Sequence, residues 1–259
     1  LTSPVPNEWP VTIGYKPYWL SYNGIQITSE NAHDIMGDGT VYYDEETDTI
    51  TLNNANHTLK GGIGGGYWPG SMSINVNVIG ENHLTIENGG FIGTVDGHVH
   101  VFGPGSLDLD INSSNEYGAI GIEGSYVKIS VNRLDMTIRH HCDNPEEDPY
   151  SDVYSRGIRT ANLTLSCNEL NIDVTSNLDT YGIFIYGYDG GVNNSCENLR
   201  IKAETTNPDA YTATAIHVFT DLTVNKGRME LTGDTAVSVR NAMTLPEDYV
   251  VEGAVEEFV

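Results

Sequence analysis

A repeated set of short strand-like segments constrains the fold of this chain more than any other feature. Runs of alternating apolar residues return at intervals of 23, 27, 36, 29 and 30 residues along the 259-residue sequence. Their leading residues are Leu84, Leu107, Leu134, Leu170, Leu199 and Met229. Alternation with a period of two is typical of β-strands, whose successive side chains point to opposite faces. Similarity that recurs over a whole turn predicts a solenoid.

Each repeat contains two further apolar runs. The second runs contain Ile92, Ile122, Ile158, Ile183, Ile216 and Val237, and the third runs contain Val99, Val127, Leu163, Val192, Leu222 and Met243. An earlier coil is assigned in the same order to Ile50/Leu52, Ile63 and Ile74/Val76/Val78. These runs predict an all-β, right-handed, single-stranded parallel β-helix of about seven three-strand rungs. A β-sandwich is the rival fold, but it would need tight hairpin turns between neighbouring strands.

The two ends of the chain depart from the repeat. Residues 1–47 are aromatic-rich and non-repetitive, and they predict an N-terminal β cap. The β-helix is expected over residues 48–245, and residues 246–259 are expected to close the other end. Together these parts form one structural domain.

The charge balance narrows the classes of partner. Acidic residues outnumber basic ones 36 to 12, which gives a formal charge of −24. We therefore expect no binding to nucleic acid, whose phosphates would be repelled. No run reaches the roughly 18 apolar residues of a membrane span, so no membrane insertion is expected. The start of the chain resembles a mature terminus, which favours an extracellular or cell-surface location, and we expect a monomer.

Three cysteines are too few for a disulfide scaffold. The segments Ser166–Ile172 and Ser195–Ile201 align without a gap, so Cys167 and Cys196 are expected to stack one coil apart. Neighbouring parallel strands lie about 4.8 Å apart, which is compatible with a disulfide. Buried thiols that act as small apolar groups are the alternative, and neither interpretation makes the cysteines catalytic.

Loops between the first and second strands share an acidic residue that lies shortly before a tyrosine. Stacking of the coils would align the aromatic residues Tyr117, Tyr154, Tyr181 and Tyr211 beside the carboxylates of Glu116, Asp152, Asp179 and Asp209. Aromatic faces offer sugars a flat apolar platform, and carboxylates are ligands for Ca²⁺. The pair Tyr67 and Trp68 is a further candidate aromatic contact. Alternatively, the tyrosines cover loop cores and the acids cap turns.

Two other motifs carry less weight. The longest insertion contains His140, His141, Cys142 and Asp143, but adjacent residues on an extended segment point to opposite sides and rarely chelate one metal together. The triplet Arg200-Ile-Lys202 matches a polygalacturonase signature. The paired aspartates and histidine motif that should precede the triplet are absent, so we interpret the match as chance.

The segments Gly24–Asp34, Gly37–Asp44 and Asp48–Ala55 resemble the opening of β-helical, carbohydrate-binding-like surface modules of Firmicutes. Those modules are also similar in shape to calcium-dependent, polygalacturonate-binding β-helices and to pectate lyases. The resemblance implies an extracellular, non-catalytic role, and it supplies no catalytic residue.

The leading hypothesis is a non-catalytic module that binds polysaccharide, including acidic glycan, with Ca²⁺ as an assisting cation. One alternative is a pectate-lyase-like or polygalacturonase-like enzyme, for which Arg139, Arg156 and Arg159 are the nearest candidate bases. The other alternative is a passive adhesion or spacer module. Fold alone does not decide between these functions.

Overall fold

The structure is a computed structural model that describes residues 16–65, 73–94, 96–114, 118–143, 154–187, 190–245 and 255–257. Within these residues the chain contains strands and turns and no helix. The strands stack in parallel to form a β-solenoid of about six turns. The parallel β-helix expected from the repeat is therefore confirmed.

The strands fall into three faces. The first face is formed by β4 (Thr49–Asn53), β7 (Ile74–Ile79), the beginning of β10 (His98–Ser113), the middle of β11 (Ile120–His140), the end of β12 (Tyr154–Leu165), β15 (Gly191–Asn194), β18 (Asp221–Val224) and β21 (Met243–Thr244). β10, β11 and β12 continue around corners and thus contribute to more than one face.

The second face, which we call the charged face, is formed by β5 (Asn56–Leu59), β8 (Glu81–Ile86), the ends of β10 and β11, β13 (Glu169–Ser176), β16 (Asn198–Thr205) and β19 (Arg228–Thr232). The third face, which we call the aromatic face, is formed by β6 (Ile63–Gly65), β9 (Ile92–Gly93), the beginnings of β11 and β12, β14 (Asp179–Ile185), β17 (Ala213–Val218), β20 (Thr235–Val239) and β22 (Val255–Glu257).

Inward residues of each face stack in register from coil to coil. On the charged face the register aligns Leu84, Leu109, Met136, Ile172, Ile201 and Leu231. Each of these side chains is at most 4% exposed, so the stack forms a continuous apolar core. Burial of this apolar surface drives the closure of the coil, because about 25 cal/mol is gained per Å² removed from water.

The assignment of Ile50 and Leu52 to the first run of the first coil, which lies on the charged face, was wrong, whereas Ile63 and Ile74 lie on the faces predicted for them. Ile50 and Leu52 pair in parallel with Val76 and Val78, so β4 belongs to the first face and not to the charged face. The charged-face strand of that coil is β5, in which Leu59 is the one buried apolar residue. One inward apolar residue is too weak a pattern to reveal a strand. The structure has about six turns, whereas the sequence predicted about seven.

The N-terminal region adds antiparallel strands to the first coil. β1 (Pro17–Tyr22) pairs with β2 (Ile25–Thr28) and with β6, while β3 (Val41–Asp44) pairs with β4. Tyr22, Ile27 and Val41 are fully buried against the coil interior. At the other end, β22 pairs in parallel with β20 and thus adds a strand to the aromatic face beyond residue 245.

A column of small residues separates the aromatic face from the apolar stack behind it. Gly121, Gly157, Gly182 and Ala215 occupy successive coils of this column. A Cβ added to Gly182 would lie 2.1 Å from Cγ2 of Ile201 and 2.7 Å from the carbonyl oxygen of Ala215. Close packing between the two faces therefore requires glycine at this position.

Candidate functional site

The charged face carries a regular grid of polar side chains on its outer surface. The register aligns His83, Asp108, Asp135, Asn171, Arg200 and Glu230 in one outward row. A second row, two residues further along each strand, contains Thr85, Asp110, Thr137, Asp173, Lys202 and Thr232. Successive members of a row lie about 4.8 Å apart, so the grid is rigid and closely spaced.

A groove of about 520 Å³ lies over the C-terminal half of this grid, on β11, β13, β16 and β19. Its lining includes three cations, the amides of Asn171 and Asn198, and four carboxylates, which belong to Asp135, Glu169, Asp173 and Glu230. The cations are Arg200, Lys202 and Arg228. Three of the chain's 12 basic residues therefore line one groove of a protein with a formal charge of −24.

Two of the three groove cations form ion pairs with carboxylates of the protein. Nε of Arg200 lies 3.7 Å from Glu230, and Nζ of Lys202 lies 2.6 Å from Glu204. Arg228 is exposed and forms no ion pair with the described residues. The hydrogen bond to Glu204 and the charge of Asp173 raise the pKa of Lys202. Lys202 consequently remains a cation at neutral pH.

The opposite end of the charged face is dominated by carboxylates that already have partners. Asp108 lies 2.9 Å from Nδ1 of His83, and Asp110 accepts a hydrogen bond of 2.5 Å from Arg139. Asp135, which also lines the groove, forms an ion pair with Arg133 and accepts a hydrogen bond from the amide of Asn171. These carboxylates therefore already form ion pairs or hydrogen bonds with neighbouring side chains of the charged face.

The aromatic face presents stacked rings. Phe184 on β14 and His217 on β17 are in register and almost parallel, with centroids 5.1 Å apart and an interplanar angle of 9°. The Arg156 guanidinium lies 4.5 Å from the centroid of Phe184 and 4.4 Å from that of Tyr154. Because β14 lies between β12 and β17, Arg156 and His217 cover opposite faces of Phe184.

The predicted tyrosine row is only partly assembled. Tyr154 and Tyr181 touch edge to face with centroids 5.8 Å apart, but Tyr154 is in register with Asp179, and Tyr181 is in register with Arg156 and Thr214. Tyr211 precedes β17 and lies outside this ring cluster. Burial raises the pKa of Tyr181 to about 12, with a further contribution from Asp179. Among the other candidates, Tyr67, Trp68, Glu116, Tyr117 and Asp152 lie outside the described residues.

The two described acidic candidates have different environments. Asp179 accepts hydrogen bonds from the backbone nitrogen and the hydroxyl of Thr212, at 2.7 and 3.1 Å, so it caps a turn of the next coil. Asp209 is exposed in the turn before β17. No group of three or more histidine, cysteine or acidic side chains that could hold a metal ion occurs among the residues that the structure describes.

The described start of the long insertion and the three candidate arginines are held by local contacts. His140 is buried, and its Nδ1 lies 3.0 Å from the hydroxyl of Ser176. Arg139 pairs with Asp110 and Arg159 pairs with Glu123. Arg156 is 3% exposed between the rings of Tyr154 and Phe184. None of these arginines lines the groove.

The sequence did not predict the groove, because the candidate site residues were chosen from loops and the groove is formed by strands. The signal was present in the polar residues that alternate with the inward apolar ones, as in Arg200-Ile-Lys202. Ile201 does belong to the buried stack, so its two neighbours must point outward together. The triplet lacks the context of a catalytic signature, but it supplies two of the groove cations.

Comparison with known proteins found no matching family model, no matching curated protein and no matching solved structure. In the described part of the chain, no helix has the length and apolar character needed to cross a membrane.

Proposed function

We propose that this protein is a non-catalytic, extracellular or cell-surface module that binds an acidic polysaccharide along its charged face. The observation that carries the proposal is the groove of about 520 Å³ over β11, β13, β16 and β19, with Arg200, Lys202 and Arg228 in its lining. A bound glycan segment would span several coils. The partner class is a polymer of uronic acids.

The three groove cations support an acidic ligand, although four carboxylates, those of Asp135, Glu169, Asp173 and Glu230, also line the groove. Most of the surface repels anions, because the chain carries a formal charge of −24. Guanidinium and ammonium groups form the strongest hydrogen bonds to carboxylates, and the fork of an arginine can hold both carboxylate oxygens. Arg228 has no competing carboxylate within ion-pair distance in the described structure, so it is available to a uronate.

The groove also offers hydrogen-bond partners to the neutral hydroxyl groups of a sugar. Asn171 and Asn198 supply amides, while Asp135 and Asp173 accept hydrogen bonds from hydroxyls. All of these residues stand on strands that are paired on both sides. Little conformational entropy is therefore lost when they bind, and such preorganisation favours affinity.

The aromatic face is a poorer sugar platform than its composition suggests. Sugars stack on ring faces, but both faces of Phe184 are covered by Arg156 and His217. Tyr181 packs against Tyr154, Phe184 and His217 in edge contacts. The rings thus use their faces for packing between coils.

The environment of Lys202 supports a binding role over catalysis. Proton abstraction from a uronate needs a base that loses its own proton near the working pH. The pKa of Lys202 is raised by Glu204 and Asp173, which makes it a better cation and a worse base. Lys202 is therefore suited to hold a carboxylate.

Calcium enters the proposal as a bridging ion. Ca²⁺ takes six to eight oxygen ligands. Asp108 and Asp135 are direct neighbours on the charged face and are not part of a metal-holding group of three described side chains. A Ca²⁺ ion at this end would therefore draw part of its ligands from the carboxylates of the glycan.

The test measures co-sedimentation with insoluble polygalacturonate and with neutral galactan, with Ca²⁺ and with chelator, while unsaturated and reducing ends are followed. We expect the protein to be retained on polygalacturonate and not on galactan. We expect no unsaturated or reducing ends to form. The variant Arg200→Gln/Lys202→Gln/Arg228→Gln should reduce retention at least tenfold, because each charge-assisted hydrogen bond contributes about 1.5–3 kcal/mol.

The matched control is Lys60→Gln/Lys128→Gln/Lys226→Gln, which removes the same three charges outside the groove. It should bind as the unmodified protein does. Equal loss in both triple variants would reduce the effect to net charge, and formation of products would establish an enzyme.

A further inference from the structure

Two cysteines occupy equivalent corners of successive coils. Cys167 lies between β12 and β13, and Cys196 lies between β15 and β16. The corners are joined by a hydrogen bond of 3.1 Å from the backbone nitrogen of Glu197 to the carbonyl oxygen of Cys167. The predicted stacking of these two residues is therefore confirmed.

Both cysteine side chains lie inside the coil, and Sγ of Cys167 also lies 3.7 Å from the carbonyl oxygen of Ile129 on the preceding coil. The backbone nitrogen of Cys167 donates to Sγ of Cys196 at 3.3 Å, and the side chains are 2% and 0% exposed. Both residues are free thiols. Stacked residues in neighbouring parallel coils have Cα atoms about 4.8 Å apart, which lies within the range of 4.4–6.8 Å that a disulfide spans.

The third cysteine has different surroundings. Cys142 is buried, and its backbone exchanges hydrogen bonds with the side chain of Asn177. It follows the end of β11, so it lies at the far end of a charged-face strand from the corner that holds Cys167. Cys142 therefore serves as an internal control for thiol reactivity.

We propose that Cys167 and Cys196 are an oxidisable pair that forms a disulfide between successive coils. The two thiols are preorganised by the register of β13 and β16, which fixes the corners before the bond exists. A hydrogen bond from Cys196 lowers the pKa of the Cys167 thiol. The same contact and then burial raise the pKa of Cys196.

The oxidant is a low-molecular-weight disulfide, for which we use glutathione disulfide. The thiolate of one of the two cysteines attacks one of its sulfur atoms, forms a mixed disulfide and releases one glutathione thiolate, which takes up the proton. The thiol of the other cysteine then loses its proton and displaces the second glutathione. Two protein thiols are oxidised to one disulfide, and one glutathione disulfide is reduced to two glutathione molecules.

The cross-link would sit directly beside the groove. β13 and β16 begin two residues after Cys167 and Cys196, and they carry Asn171, Asp173, Arg200 and Lys202. A bond between the corners would fix the spacing of these two strands. Oxidation would thus stabilise the groove, whether or not the groove binds glycan.

The experiment refolds the full chain from urea in a glutathione redox buffer, so that burial does not limit access to the thiols. Peptide mapping by mass spectrometry should then show a product 2 Da lighter, with a Cys167–Cys196 linked peptide and Cys142 still a thiol. The linked form should melt roughly 5–10 °C above the reduced form, because the bond closes a loop of about 30 residues.

Three variants complete the test. Cys142→Ser should retain the linked peptide and the rise in Tm, whereas Cys167→Ser and Cys196→Ser should lose both. The proposal is overturned if Cys167 and Cys196 remain free thiols or separate glutathione adducts after refolding. A linked peptide that contains Cys142 would overturn it equally.

Discussion

The charged face and the aromatic face are built by the same coil repeat, yet they use their outward side chains in opposite ways. On the charged face, Arg200 and Arg228 extend into solvent over a groove. On the aromatic face, Arg156 is buried between two rings, and Phe184 is covered on both sides. Flat side chains in register stack on one another, so their faces are covered and are not accessible to a ligand. Charged side chains in register remain accessible, because water solvates them better than their neighbours do.

This contrast separates stability from binding. Substitutions on the aromatic face should change the free energy of unfolding and leave polygalacturonate binding intact in the folded fraction. Substitutions in the groove should do the reverse.

Gly182→Ala should have the largest effect on stability, because Gly182 lies between the aromatic face and the apolar stack that supports the charged face. The new Cβ would lie 2.1 Å from Cγ2 of Ile201, so one of the two faces must shift. We expect a loss of about 2–4 kcal/mol in the free energy of unfolding, measured by urea denaturation.

The matched control for this change is Gly93→Ala, also on the aromatic face, where an added Cβ meets nothing within 4 Å. It should change the free energy of unfolding by less than about 0.5 kcal/mol. A small effect of Gly182→Ala would show that the faces are not tightly packed there.

Phe184→Ala should cost about 2–3 kcal/mol of unfolding free energy, because a half-buried ring with four partners is removed. Those partners are Arg156, Tyr181, His217 and Phe219. Phe102→Ala is the matched control on the first face, where the ring stacks on His100, and it should cost less than half as much. Loss of polygalacturonate binding by folded Phe184→Ala would contradict the structural role of this ring.

His217 should make the stability of the aromatic face depend on pH. Burial and then the charge of Arg156 lower its pKa from 6.5 to about 4. The unfolded chain therefore binds a proton between pH 6.5 and about 4 that the folded protein does not bind, and stability falls as the pH decreases through this window.

This contribution is about 2 kcal/mol at most, since His217 is only partly buried. His217→Phe retains a flat ring at the stacked position but removes the titrating group. Urea denaturation of both proteins at pH 7 and pH 4.5 should show a smaller decrease in the variant. An identical decrease would assign the pH dependence to other groups.

The smallest effect on stability is expected for Arg200→Gln/Lys202→Gln/Arg228→Gln. Exposed ion pairs contribute about 0–1 kcal/mol each, and the Arg200 and Lys202 pairs are partly solvated. The free energy of unfolding should change by less than about 1 kcal/mol in total. A larger loss would show that the groove cations hold the coils together, as the buried Arg156 does.

The fold could be predicted from sequence because a buried stack forces a period-two pattern to recur. This worked for the runs that begin at Leu107, Leu134 and Leu170, which are in register in the structure. It failed at β5, where Leu59 is the one inward apolar residue that is buried. The other three residues of β5, Asn56, His57 and Thr58, are polar and concealed that strand.

The site was harder to predict because register is fixed by strands and not by loops. The acid-tyrosine pattern aligned Tyr181 with Tyr211, but loops of different length place Thr214 beside Tyr181. Conversely, Arg200 and Lys202 could have been assigned to one outward surface from the inward position of Ile201. What sequence did not reveal is that Arg228 on the next coil joins them in one groove.

The central claim is that the groove cations recognise the carboxylates of a glycan. Its most direct test is titration calorimetry of the unmodified protein and of the triple groove variant, each with polygalacturonate and with the same polymer reduced to the neutral galactan. We expect the variant to lose affinity at least tenfold for polygalacturonate, and we expect both proteins to bind the neutral polymer equally weakly. Equal losses of affinity for the two polymers, or undiminished binding of polygalacturonate by the variant, would contradict it.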